Sequence, residues 1–279
     1  MGRIDDIFRG HRGKARGEPA VRHAALMPFI CGGHPTPGML GPLLAALENG
    51  GAGVVEIGFP FSDPIADGPV IAAAMQQVLS QGGTPEALFE EIAQARSRTE
   101  LGLVAMVSVS IVLRMGLTRV IDMARRAGID GFILPDLPVE ESGPVLGPIR
   151  DAGFSTSLLV APTTTPRRAE LIARACSGFV YMIARAGITG ETSTAPEVGE
   201  RVAMLRRMTD LPIACGFGIS TAAHVREVVR HADAAIVGSA LVRKLSDAHA
   251  AGEDVIRVAE TFTSHLAAGL AGAGHHRLG

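Results

Sequence analysis

The sequence predicts a single (β/α)8 TIM barrel with one extra helix at its N-terminus. Eight short apolar segments alternate with longer amphipathic ones, the order of a parallel sheet built from strand–helix units. Most of the short segments are apolar nearly throughout, as strands covered on both faces should be. Eight such units occupy about 250 residues in a barrel of this kind, and the 279-residue chain holds them as one domain, 1–279. A doubly wound open sheet is the alternative, but no GxGxxG follows the first strand.

Residues 2–14 read as the leading helix. The expected strands are ALMPFIC (25–31), GVVEIG (53–58), LVAMVSV (103–109), GFILP (131–135), STSLLVA (155–161), GFVYMI (178–183), PIACGF (212–217) and DAAIVG (233–238). Helical stretches lie between and after them, from TPGMLGPLLAALENG to EDVIRVAETFTSHLAAGL. Several stop at a glycine just past the last turn, as at Gly51, Gly128 and Gly153, where a left-handed residue is favoured. The tail 271–279 is expected to lack structure, and its paired histidines have no carboxylate or cysteine beside them.

Composition narrows the class. The chain is 47% apolar and 19% charged, with a formal charge of −2. That balance offers no electrostatic case for nucleic acid or an acidic membrane. Trp is absent and Tyr181 is the single tyrosine, so there is no platform for stacking bases. Cys31, Cys176 and Cys215 are widely spaced and show no CxxC pattern, which suits reduced thiols packed in a core. The opening MGRIDDIF has no apolar stretch of signal type. The uncharged stretch from His23 to Leu47 is broken by prolines and glycines, and the run from Leu101 to Leu113 is too short to span a bilayer. A cytoplasmic protein without a membrane segment is expected.

The chemistry concentrates in VEIGFPFSDPIADGPV (55–70). A short apolar strand ends in Glu56, a loop carries Asp63 and Asp67, and Pro69 opens a helix. Acids at the carboxyl end of a barrel strand, and in the loop after it, are placed where proton transfer happens in such folds. Glu56 is flanked by Val54, Val55, Ile57 and Phe59. A charge so surrounded is rarely idle, and desolvation should raise its pKa.

The same end of the barrel collects Phe29, Ser108, Ser110, Asp136 and Tyr181, and the loops after the last three strands. Gly187, Gly190, Gly216, Gly218 and Gly238 would let backbone N–H groups approach an anion, and Ser239 would start a helix whose N-terminus favours negative charge. A small phosphorylated substrate is therefore expected. The segment from Ala184 to Pro196 is long, polar and glycine-containing, and reads as a lid. No HxH or HExxH pattern is present, so no metal is expected.

With these residues assembled, the chain resembles the α subunit of tryptophan synthase over nearly its whole length. EIGFPFSDPIADGP (56–69) is the most specific match, and DLPVEES (136–142), ARAGITG (184–190) and GFGIS (216–220) follow in family order. The resemblance implies cleavage of indole-3-glycerol phosphate to indole and glyceraldehyde 3-phosphate, in tryptophan biosynthesis. It implies a β-subunit partner in an α2β2 tetramer, with pyridoxal phosphate in the β subunit and no cofactor in this chain.

By resemblance, Glu56 and Asp67 fall on the two catalytic carboxylates. Glu56 is expected to shuttle a proton between the glycerol hydroxyl and indole C3, and Asp67 to accept the indole N–H. Phe29 and Tyr181 map to the indole and glycerol portions. Gly190, Phe217, Gly218, Gly238 and Ser239 map to the phosphate, and Thr189 to the loop position that meets the aspartate loop on closure. Pro60 and Asp63 map to the segment facing the β subunit. Family members often carry Tyr, and Asn two residues on, in the third strand. Ser108 and Ser110 are expected to take those places, which would loosen the indole pocket and alter coupling to the partner. A freestanding lyase, or a weakly active α-like regulatory partner, are the alternative readings.

Overall fold

The computed structural model describes residues 2–9, 21–22, 24–64, 67–184, 198–216, 218–271 and 276–277. Its parallel strands are β1 (Ala25–Cys31), β2 (Val54–Gly58), β3 (Gly102–Met106), β4 (Gly131–Ile133), β5 in two pieces (Ser155–Ser157 and Leu159–Val160), β6 (Val180–Ile183), β7 (Ile213–Gly216) and β8 (Ala234–Val237). Neighbours follow chain order, and β8 returns to pair with β1. The first piece of β5 pairs with β4 and the second with β6, so one short stretch joins both ends of the sheet and closes the barrel. At the break, the Leu158 N–H turns to Cys176 Sγ at 3.3 Å.

The helices are α1 (Arg3–Phe8), α2 (Leu40–Asn49), α3 (Pro69–Ser80), α4 (Pro85–Arg96), α5 (Val109–Met115), α6 (Leu117–Ala127), α7 (Gly143–Asp151), α8 (Pro166–Ala175), α9 (Gly199–Arg206), α10 (Ala222–Val229), α11 (Ser239–Ala250) and α12 (Val255–Ala267). Local chemistry sets their ends. Pro69 and Pro85 occupy first turns, where a missing N–H costs nothing. Thr84 accepts from the Ala87 N–H, and Asp254 from those of Ile256 and Arg257. Gly128 ends α6 at φ 69°, a conformation that suits glycine.

Side-chain alternation along the strands sorts the core into two shells. Met27, Val54, Val104, Ile133 and Ala234 fill the barrel's interior. Leu26, Ile30, Val55, Ile57 and Leu103 point outward and pack beneath the helices. The lower end of the interior is closed by α1: Ile4 and Phe8 are fully buried, and the Phe8 ring lies 6.1 Å from that of Phe179. Among the described residues, no helix is long and apolar enough to cross a membrane.

Three expectations need correction. The leading helix spans Arg3–Phe8 rather than 2–14, residues 10–20 lying outside the described set. The third strand stops at Met106 instead of 109, because Ser108 turns to cap α5. In the tail, His276–Arg277 pairs antiparallel with Val21–Arg22.

Candidate active site

A cavity opens at the carboxyl ends of the strands. Phe29, Glu56, Asp67, Tyr181, Gly218, Gly238 and Ser239, all singled out from the sequence, line it together. Strand register explains part of this convergence. Phe29 pairs with Glu56 across β1 and β2, and Leu159 with Tyr181 across β5 and β6. Paired residues of a parallel ladder point to the same face, so the two members of each pair project together into the barrel.

Glu56 is wholly buried, and neither carboxyl oxygen has a hydrogen-bond partner among the described residues. Desolvation raises its pKa well above the ordinary carboxylate range. An acid in this position holds its proton to higher pH than an ordinary carboxyl and can deliver it to a base brought into the cavity. Asp67 sits at the loop that leads into α3 and is half-buried; desolvation pushes its carboxyl up to about 6. The two groups thus differ as a proton donor and an anion should.

Tyr181 is buried, and its phenol is pushed well above the usual range, first by desolvation and then by the nearby Glu56 and Asp67. Its hydroxyl occupies the space over Gly216, where a Cβ would stand 2.6 Å from the phenol oxygen. Gly216, read from the sequence as part of a phosphate cradle, instead makes room for Tyr181. The ring of Phe29 uses Gly58 in the same way, at 2.4 Å from a would-be Cβ.

The anion end is built from Gly218, Gly238 and Ser239. Gly218 adopts φ 80°, a conformation that favours glycine. Gly238 precedes α11; its carbonyl accepts from the Leu241 and Val242 N–H groups at 2.9 and 3.1 Å, so that the N–H groups of Ser239 and Ala240 form the open start of the helix. The helix dipole adds positive potential at the same place. Among the described lining residues there is no Lys or Arg. Thr189, Gly190 and Phe217, with the lid segment around them, lie outside the described residues.

Pro60 and Asp63 do not reach this cavity. Pro60 is buried beside a rim groove, and Asp63 is exposed on the wall of a neighbouring cavity. The expected substitutions in the third strand are displaced as well. The side chain that β3 sends into the cavity is Met106, not Ser108 or Ser110. Ser108 Oγ donates to Asp136 Oδ2 at 2.6 Å, and Asp136 Oδ1 accepts from the Val109 N–H at 2.8 Å. Ser110 lies exposed on α5. Sequence reading also missed Ile71, Pro135, Leu159 and Ile236, which supply the apolar walls. Leu159 and Ile236 follow from the alternation on their strands, whereas Ile71 comes from the start of α3 and Pro135 from just past β4.

Among the described residues, no group of three His, Cys, Asp or Glu is placed to hold a metal ion. The three cysteines are buried and unpaired, and desolvation raises the Cys31 thiol to about 12 and that of Cys176 to about 11. None is a ready nucleophile.

Comparison with known proteins agrees with this arrangement. The family model described as tryptophan synthase alpha chain matches residues 18–270. A tryptophan synthase alpha chain of Solibacter usitatus is 41% identical over 246 residues, covering 88% of this chain and 92% of that protein. The corresponding chain of Halorhodospira halophila is also 41% identical, over 91% of both. Among solved structures, tryptophan synthase subunit alpha of Legionella pneumophila superposes with a TM-score of 0.82 at 30% identity, covering 97% of this chain and 98% of that one. A chain of Mycobacterium tuberculosis tryptophan synthase gives 0.83 at 30%, with both chains fully covered.

Proposed function

The chain belongs to the tryptophan synthase alpha chain family, and from that premise we propose that it cleaves indole-3-glycerol phosphate to indole and glyceraldehyde 3-phosphate. The observation that carries this reading is Glu56: a buried carboxyl without a partner, opening on a cavity whose wall it shares with Asp67.

The chemistry needs three things. Indole C3 must take a proton, so that its bond to the glycerol carbon becomes labile. The positive charge that develops on the ring nitrogen must be stabilised. The glycerol hydroxyl on the carbon attached to C3 must give up its proton as that bond breaks. Protonated Glu56 gives its proton to C3, and Asp67 accepts the ring N–H as an anion. The carboxylate left on Glu56 then takes the hydroxyl proton. Electrons of the O–H bond form the aldehyde carbonyl, and those of the C–C bond return to the ring. One proton has moved from oxygen to carbon, and Glu56 ends as it began.

Phe29 and Tyr181 border the organic portion, and Gly218, Gly238 and Ser239 receive the phosphate at the start of α11. Acid–base chemistry by this chain's own residues calls for no cofactor here, and pyridoxal phosphate is assigned to the β subunit. We assign the partner as a tryptophan synthase β subunit in an α2β2 assembly, with Pro60 and Asp63 in the segment that reports between subunits. Solved relatives carrying the tryptophan synthase name support such a partner. A cytoplasmic setting fits this role.

The test is indole release from indole-3-glycerol phosphate by the purified chain, with and without a β subunit. Slow release that rises sharply on adding the partner is expected. Rapid release alone would identify a freestanding lyase. No release in either state, from folded protein, would overturn the assignment.

A further inference from the structure

Beside the candidate active site lies a second cavity of about 260 Å³. The two meet at Asp67, Met106 and Pro135, which line both. Met106 is the last residue of β3 and is half-buried. It packs against the barrel interior on one side and against the cluster of Phe29, Ile71 and Met75 on the other. An unbranched thioether with three rotatable bonds makes a yielding partition.

The second cavity is largely apolar, walled by Phe59, Phe61, Pro64 and Met75. Its polar members are partly committed: Asp136 already accepts from Ser108 Oγ and the Val109 N–H. Such walls favour hydrocarbon or halogen over a polar group. With Asp67 accepting the ring N–H, the nitrogen edge of the indole faces the shared wall. Ring carbons C6 and C7, on the nitrogen side of the benzo ring, then approach Met106. Carbon C4, next to the phosphorylated side chain, points back toward the closed interior.

We propose that the second cavity is a subsite for substituents on the benzo ring beside the nitrogen, and that Met106 is the specificity-determining wall between it and the indole. The chain would then accept 6-substituted indole-3-glycerol phosphates as substrates and discriminate against 4-substituted ones. This inference rests on the reading of Asp67 given above.

The experiment is titration calorimetry with indole-3-propyl phosphate, which has no hydroxyl and is not cleaved, and with its 6-methyl and 4-methyl derivatives. A methyl group that fits or misfits an apolar pocket changes affinity by about tenfold or more. The 6-methyl compound is expected to bind at least as tightly as the parent, and the 4-methyl compound about tenfold more weakly. Phe61→Trp, which fills the second cavity from its rim, should weaken the 6-methyl compound by about tenfold relative to the parent. Equal weakening by the two methyl groups in the native chain overturns the proposal. So does indifference of the 6-methyl compound to folded Phe61→Trp. If that variant does not fold, the native ligand series decides alone. Cleavage of unsubstituted indole-3-glycerol phosphate is measured in parallel. Cleavage without 6-versus-4 discrimination removes the subsite and leaves the function standing, whereas no binding of any of the three analogues removes both.

Discussion

The hydroxyl of Tyr181 fits over the bare Cα of Gly216, where a methyl group would stand 2.6 Å from the phenol oxygen and 3.1 Å from the carbon that bears it. Gly216→Ala therefore overpacks the barrel against Tyr181. We predict a loss of about 1–3 kcal/mol in stability, measured by denaturant unfolding, and a displaced Tyr181. Tyr181→Phe removes the closest of these contacts. The double variant should recover part of that loss, and strictly additive losses would argue against the contact.

Glu56→Gln separates chemistry from folding. Cleavage should fall by about 10²–10⁴, while a non-cleavable analogue still binds. A near-native rate would refute the proton-shuttle assignment. Stability should move the other way. The folded pKa of Glu56 lies above its ordinary value of 4.5, so the native state holds a proton that the unfolded chain has released. Its contribution is full below about pH 4.5 and declines as pH rises toward the folded value. The variant should thus match the native protein in acid and exceed it by at least about 1 kcal/mol at pH 8, as read by thermal or urea melts at both pH values.

Asp67 must be ionised to hold the ring N–H, and its carboxyl titrates at about 6. The pH profile of kcat/KM should therefore rise through about pH 6, and Asp67→Asn should lack that limb. Loss of one preorganised charge-stabilising group costs about 10²–10³ in rate. A mild effect would point to a water as the group facing the nitrogen.

Ser108 and Asp136 form a clamp outside the candidate active site. Ser108→Ala should cost about 1 kcal/mol of stability through the lost cap of α5. Asp136→Ala should cost a similar amount, and the two together less than their sum. Denaturation midpoints of the four proteins check this.

The clamp also shows where sequence reading stops. AMVSVSIV alternates apolar and small polar residues, as a strand does, and nothing local marks the change at Met106. The change comes from Asp136, which is 28 positions from Ser108 and captures both its hydroxyl and the next N–H. Shifting the strand's end moved the expected cavity position from Ser108 to Met106. Gly216 misled for a related reason, since its neighbour Tyr181 lies on another strand. Glu56 was legible because an acid inside an apolar strand is costly wherever it occurs, and Asp67 because it lies in the loop after that strand, at the active face of a barrel. The strand–helix alternation was legible because apolar periodicity is a local property.

The stopper formed by Ile4 and Phe8 at the foot of the barrel turns the chamber into a cup. Traffic through a cup differs from traffic through a pipe. Whatever enters over the upper rim must leave over the same rim, and two fragments born together must depart in turn or by different notches in its edge. The first fragment to go determines whether the other can still recombine with it. Selectivity of exit is thus assigned to the loops of the rim, while the six-residue helix below closes the foot.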